Sequence, residues 1–440
     1  MFHVKHWPPV DSIFLAWRIM RTYIINMKIK NRLVAYIWLP ALLLFACPLD
    51  PPDPPPEKAY HAEILWEREI NTVSSVRSPL IVGQYCYYPS RENYPGGRQN
   101  IVKINMEENG RVEWESRGVG YSSENPQKIG PYIYLPDRSG FIIYVYNDSD
   151  GKLAATVMLG TVVMRDNGME LFTSAAVSGP YLFWVRDGGL MRFDSRLIDF
   201  SKAPGATQYI PPEQIWFNPP QTRIFADFIL ENGTLYFITR YYIYNPNFEN
   251  VDFTPEIPAI LIALDAETGD VKWKREAPHC KGVDDNVLVL NGDKLLVVEG
   301  AFSSYNKLTG VPILENIPLG YETRSFRSGR ITLNNNRLFY IGGWNLVSVN
   351  ADTGALIWHI SPADGGFSTS PRVNNGQVFI LHETGLRVYN ADTGEFIGVD
   401  GSFRGKGKGG LQFSYEVAVY KDAYIFFNDN LNYVTAIRCK

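Results

Sequence analysis

The residue types that could do chemistry are few and scattered. The cysteines are Cys47, Cys86, Cys280 and Cys439; no two are adjacent and none forms a CxxC pair. Past residue 46 the histidines are His61, His279, His359 and His382, with no HxH or HExxH among them. Zinc sites draw ligands from such short spacings, so none of these residues reads as a ligand. NDSDG, Asn147 to Gly151, has the look of a calcium loop, but counting back from Gly151 puts Tyr146 where the first Asp belongs. It reads as a turn. GSFRGKGKGG, Gly401 to Gly410, has no glycine five residues before either Gly-Lys and no hydroxyl residue after, so it is no phosphate loop but a mobile basic loop. Asn147-Asp148-Ser149 and Asn232-Gly233-Thr234 match glycosylation sequons. No catalytic, cofactor-binding or metal residue is assigned, and no cofactor is expected.

What recurs is positional rather than catalytic. In LIALDAETGDVKWKREAP, Leu261 to Leu264 is a short apolar run, Asp265 to Gly269 is turn chemistry, and the stretch after it alternates. An Asp side chain bonds the backbone two residues on, and Gly takes positive φ without steric cost. Strand, tight turn, strand follows, with Val271 and Trp273 expected on one face. Thr268 precedes Gly269, and Trp273 follows four residues later. The same frame holds Thr353, Gly354 and Trp358; Thr309 and Gly310 with Leu314 in the tryptophan's place; Thr393 and Gly394 with Gly398 there; Gly110 and Trp114; and Gly151 with Ala155. Gly110 to Gly151 and Gly269 to Gly310 are each 41 residues, Gly310 to Gly354 is 44 and Gly354 to Gly394 is 40. Upstream of each turn lies a second hairpin, as in NVLVLNGDKLLVV, ITLNNNRLFYI, VNNGQVFIL and FILENGTLYFI, with weaker versions in PLIVGQYCYY, KIGPYIYL, AVSGPYLFW and VAVYKDAYIFF. Four strands per period of about 40 residues is a propeller blade. The fold class is therefore all-β, a single propeller of eight four-stranded blades. Seven is the alternative, because DSRLIDF after Phe193 keeps Asp194 but has no Thr-Gly.

The chain ends complement each other. LNYVTAIRCK is a third strand that stops where a turn and fourth strand should begin, and EILWERE carries Trp66 with no third strand before it. Pairing the two closes the ring and removes exposed edges. Trp66, Trp114, Trp273 and Trp358 then hold equivalent outer-strand places, read as packing between blades.

The repeat A-x-D-x-x-T-G-x-x-x-W at Ala263 to Trp273 resembles that of pyrroloquinoline-quinone-type β-propellers. Ser348 to Trp358 departs from it by Asn350 for Asp and Ser348 for Ala. The resemblance spans most of residues 60–440 and is weakest over 160–220. Quinone-dependent dehydrogenases of this type carry adjacent cysteines against the cofactor, an Asp base and a calcium site, and this chain has no adjacent cysteines. An acidic lipoprotein of such repeats is similar to the propeller lipoprotein of the outer-membrane β-barrel assembly machinery, a non-enzymatic scaffold.

The N-terminus reads as an address. Residues 33–45 form an apolar run behind the basic MKIKNR, too short for a membrane span and right for a signal-peptide core. Leu44-Phe45-Ala46-Cys47 resembles a bacterial lipobox, which implies that Cys47 is lipidated. The expected organisation is 1–26 a mis-called upstream segment, 27–46 the signal peptide, 47–58 the lipidated cysteine with a Pro-rich tether, and 59–440 the propeller. Residues 47–440 hold 36 Lys/Arg against 45 Asp/Glu, a net −9, which excludes a general nucleic-acid binder. The functional expectation is a monomeric, lipid-anchored scaffold in the cell envelope with a protein partner. A carbohydrate- or protein-binding surface adhesin and a quinone-dependent dehydrogenase are the alternatives. Two Pro- and aromatic-rich insertions, Asp199 to Gln221 and Tyr241 to Pro258, are either partner sites or covers for a sheet edge.

Overall fold

The computed structural model describes residues 59–438 except 70–78, 92–98, 118–125, 137–141, 161–174, 187–188, 217–221, 225–227, 242–258, 278–287, 300, 320–330, 343–344, 362–366, 368, 383–384, 402–416 and 429–432. Cys47, Cys280, Cys439, His279, the signal and tether segments, the basic loop after Gly401 and nearly all of the second insertion lie outside these residues.

Strands account for most of the described backbone, and they form eight sheets. Blade 1 sets the pattern: Leu80–Val82, Tyr85–Arg91, Gln99–Asn105 and Arg111–Arg117 pair in order, each antiparallel to the last. Blades 2 to 7 start at Gln127, Ala176, Ile229, Leu288, Thr332 and Arg372. Blade 8 takes three strands from the C-terminus, Ala418–Tyr420, Ala423–Asn428 and Tyr433–Arg438, and its fourth from the N-terminal Glu63–Glu69. The closing pair is antiparallel, with Glu67 opposite Thr435 and Trp66 opposite Ala436. Thr435 donates to Glu67 at 3.2 Å and Arg438 pairs with Glu63 at 2.9 Å.

The core is a set of interfaces rather than one centre. Each of eight apolar clusters among the described residues joins a blade to its neighbour. Ile425, Val434 and Ala436 of blade 8 pack with Cys86, Tyr88 and Val102 of blade 1. The second and third strands are buried because both their faces meet a blade, which is why YIYL, YLFW and LLVV are nearly continuous apolar runs.

The repeated turn explains its own sequence. Asp265 Oδ1 accepts from the amides of Glu267 and Thr268 at 2.9 and 3.0 Å, and Thr268 Oγ1 accepts from the Asp270 amide at 3.2 Å. The Gly269 amide closes the loop onto the Asp265 carbonyl at 2.9 Å, with φ of 77° at the glycine. Asn306, Asn350 and Asn390 make the same two side-chain bonds, so Asn replaces Asp freely. A register shift follows each turn. It corrects the expected alternation: Trp273 faces Ala263 and is buried, whereas Val271 pairs with Leu264 and is 41% exposed.

The weak repeat at blade 3 is an interrupted blade. Asp194 caps a 3-10 turn, Ser195–Leu197, in place of the usual loop. The chain then leaves to lay Thr207–Tyr209 parallel to the fourth strand of blade 2, Leu153–Met158, and returns as Glu213–Trp216, the fourth strand of blade 3. The first insertion is thus shorter than its sequence boundaries, since Glu213–Trp216 belongs to the blade. Its described part does cover a sheet edge.

Candidate protein-binding surface

The repeat residues lock neighbouring blades. Trp66, Trp114, Trp273 and Trp358 lie against Gly110, Gly151, Gly310 and Gly394 of the next blade, so close that a Cβ on those glycines would fall 2.4–2.8 Å from the indole. The indole N–H of Trp114, Trp273 and Trp358 donates to the carbonyls of Asp148, Lys307 and Ala391 in the same turns, at 2.8, 3.0 and 3.1 Å. The residue facing the tryptophan is Ala263 in blade 4 and Ser348 in blade 6, small enough to leave room. Where blade 5 has Leu314, Phe302 of its third strand fills the place against Gly354. These contacts hold rings and backbone together.

NDSDG is a turn with an electrostatic centre. Asp148 accepts from Lys103 at 2.7 Å and Tyr87 at 2.6 Å and pairs with Lys128. Burial alone would raise its carboxyl, but the bonds from Lys103, Lys128 and Tyr87 outweigh that and hold it below the usual carboxylate range. Burial, then the bond to Asp148, pushes the Tyr87 phenol up. Lys103 stands opposite Trp114, where other blades have Ala or Ser. That substitution was the sequence signal for this node.

No metal-holding group of three His, Cys, Asp or Glu occurs among the described residues. Cys86 is a buried free thiol pushed up to about 12 by burial, which leaves it a poor nucleophile. His382 is buried with its ring edge-on to Phe367, while His61 and His359 are exposed. With no adjacent cysteines in the chain and Cys86 enclosed in an apolar interface, the residues do not fit a quinone cofactor stacked on a cysteine pair.

The first insertion and the turn before it leave apolar side chains exposed on a fixed base. Ile198 and Ile210 anchor it in the cluster between blades 2 and 3. The buried Gln208 amide clamps Asp199, accepting from its N–H at 2.9 Å and donating to its carbonyl at 3.0 Å. Phe200 stacks flat on Tyr132 of blade 2, with centroids 4.0 Å apart. On this fixed base Leu197, Phe200 and Tyr209 are 58%, 38% and 62% exposed. Composition marked the segment; which side chains face outward depends on the Gln208 clamp and the parallel pairing, neither of which has a sequence signature. A second exposed apolar group, Leu308, Val311 and Ile313, lies at the turn and fourth strand of blade 5.

Eight four-stranded blades in a closed ring, four of their interfaces latched by tryptophan on glycine, define a β-propeller. Comparison with known proteins agrees: residues 315–397 match the PQQ_2 family, described as outer membrane protein assembly factor BamB. BamB from Moraxella catarrhalis superposes with a TM-score of 0.57 at 12% identity, over 86% of this chain and all of that one. The computationally designed Ika8 protein gives 0.54 at 9% identity, over 86% and 100%. A quinohaemoprotein alcohol dehydrogenase from Pseudomonas putida gives 0.54 at 11%, over 85% of this chain and 75% of its own. No curated protein matches in sequence.

Proposed function

We propose that the chain is a non-enzymatic, protein-binding scaffold of the cell envelope, held to a membrane by lipid on Cys47 and acting in outer-membrane protein assembly. The observation that carries the reading is the clamped insertion with the 3-10 turn before it, which leave Tyr209 and Leu197 exposed on a fixed base. Exposed apolar side chains on a fixed base are what a protein interface needs at its centre. The likeness to BamB and the family match over blades 5 to 7 support the same assignment. The carbohydrate-binding alternative is less favoured, because Phe200 already spends a ring face on Tyr132. The test is co-purification from solubilised envelope with the L197D/Y209D double variant. Its melting temperature should match the parent's, and the partner recovered with the parent should fall about tenfold or more, the effect of losing ~1.4 kcal/mol or more. Equal recovery would refute the insertion as the contact. Separately, C47S should move the protein from the membrane pellet to the soluble envelope fraction; retention after a salt wash would refute the anchor.

A further inference from the structure

Outer strands of a propeller are sheet edges, and an uncovered edge invites another strand unless charge or proline blunts it. The fourth strands of this ring obey that rule with one exception. Blades 1, 4 and 8 end in RVEWESR, VKWKREA and EILWERE, each with four charged residues. Blade 3 ends in EQIW with a charge at Glu213, and blade 5 in PILENIP with a proline at each end. Blades 2 and 7 end in LAATVM and FIGVD, which lack such guards apart from the buried Asp400. Both are covered by the chain itself. Thr207–Tyr209 runs parallel to Thr156–Met158, and Ala59 bridges Val399 in parallel, with the Tyr60 amide on the Val399 carbonyl at 2.9 Å and the Ala62 amide on Asp400 at 2.7 Å.

Blade 6 is the exception. Its fourth strand, Leu356–Ile360, reads LIWHI, with no Asp, Glu, Lys, Arg or Pro, and among the described residues no strand covers it. Leu356 and Ile357 are each 36% exposed, while Trp358 is taken up by the latch to Gly394. We propose that this edge receives an extended segment of a protein partner, with apolar residues at alternate positions, as an added strand. The ring's own chain shows the mode: the blade 2 edge carries Thr207–Tyr209 as an added parallel strand and the blade 7 edge carries a parallel bridge at Ala59, so the outer face accepts a further strand without disturbing the blade. An added strand takes affinity from main-chain bonds and specificity from alternate side chains, and Leu356 and Ile357 offer those side chains an apolar surface. The inference rests on the scaffold reading for the partner being a protein.

The test is hydrogen exchange on the full chain with a short synthetic strand peptide of alternating Val and Thr. Amides of residues 356–360 should slow roughly tenfold or more. I357K, which adds the missing guard, should abolish that slowing and leave the melting temperature unchanged, whereas V271K on the already charged blade 4 edge should leave it intact. No slowing at 356–360, or slowing that persists in I357K, overturns the proposal. So does concentration-dependent self-association lost in I357K, which would assign the edge to a second copy. Capture of the envelope partner retained in I357K, without peptide binding by the parent, would sink this edge and leave the scaffold reading standing.

Discussion

At Gly310 the backbone sits at φ 68° and a Cβ would meet the Trp273 ring at 2.6 Å. One position thus answers to two demands, a left-handed turn and a tryptophan seated on it. Gly310→Ala should destabilise the ring by about 1–3 kcal/mol through overpacking and strain, and Trp273→Ala by about 3–5 kcal/mol, both read from urea midpoints. A midpoint unchanged in Gly310→Ala would mean that the latch does not bear on stability. Asp148 makes a pH prediction. Its folded-state pKa lies below the ordinary value, so its contribution is complete above the unfolded-state pKa of about 3.9 and is lost as pH falls through the lower folded value. Melting curves between neutral pH and pH about 3 should therefore converge for the parent and Asp148→Asn as pH falls. A constant difference would contradict the role given to the Lys103 and Lys128 pairs.

The blade as an element was legible because its turn chemistry is local: Asp265, Thr268 and Gly269 bond within their own loop, so spacing alone reveals them. Ring-closing Trp66 was legible because a strand without a partner at one end matched a gap at the other. What could not be read was set by contacts far apart in sequence. Thr207–Tyr209 is three residues of no marked pattern whose strand identity comes wholly from Thr156–Met158. Phe302 replaces a tryptophan from a different strand, so the repeat frame does not point to it. Val271 was misplaced because one bulge residue reverses a face. The insertion yields its own prediction. Gln208→Ala removes the two bonds to Asp199 and should make residues 199–208 susceptible to limited proteolysis while the ring stays resistant. Equal protease resistance in parent and variant would show that the clamp does not fix the surface.

For the whole molecule, the eight inter-blade clusters make stability a property of the closed circle. The interface between blades 8 and 1 draws its strands from opposite ends of the chain. It is reinforced by Glu107, which accepts from Tyr420 at 2.8 Å and pairs with Lys421 at 2.6 Å. Deleting residues 59–70 removes Trp66 and bares the Tyr433–Arg438 edge, so that variant should aggregate. The central claim is that a ring closed by its N-terminal strand presents a fixed surface to a protein partner. The most direct measurement is a disulfide between positions 67 and 435, which face each other across the closing pair, in a chain that keeps Cys47 and has Cys86, Cys280 and Cys439 replaced. The account predicts a crosslink within one molecule, a gain of up to about 5 kcal/mol in stability, and undiminished capture of the envelope partner by the locked ring. A crosslink between molecules, no crosslink, or a locked ring that no longer captures the partner would contradict it.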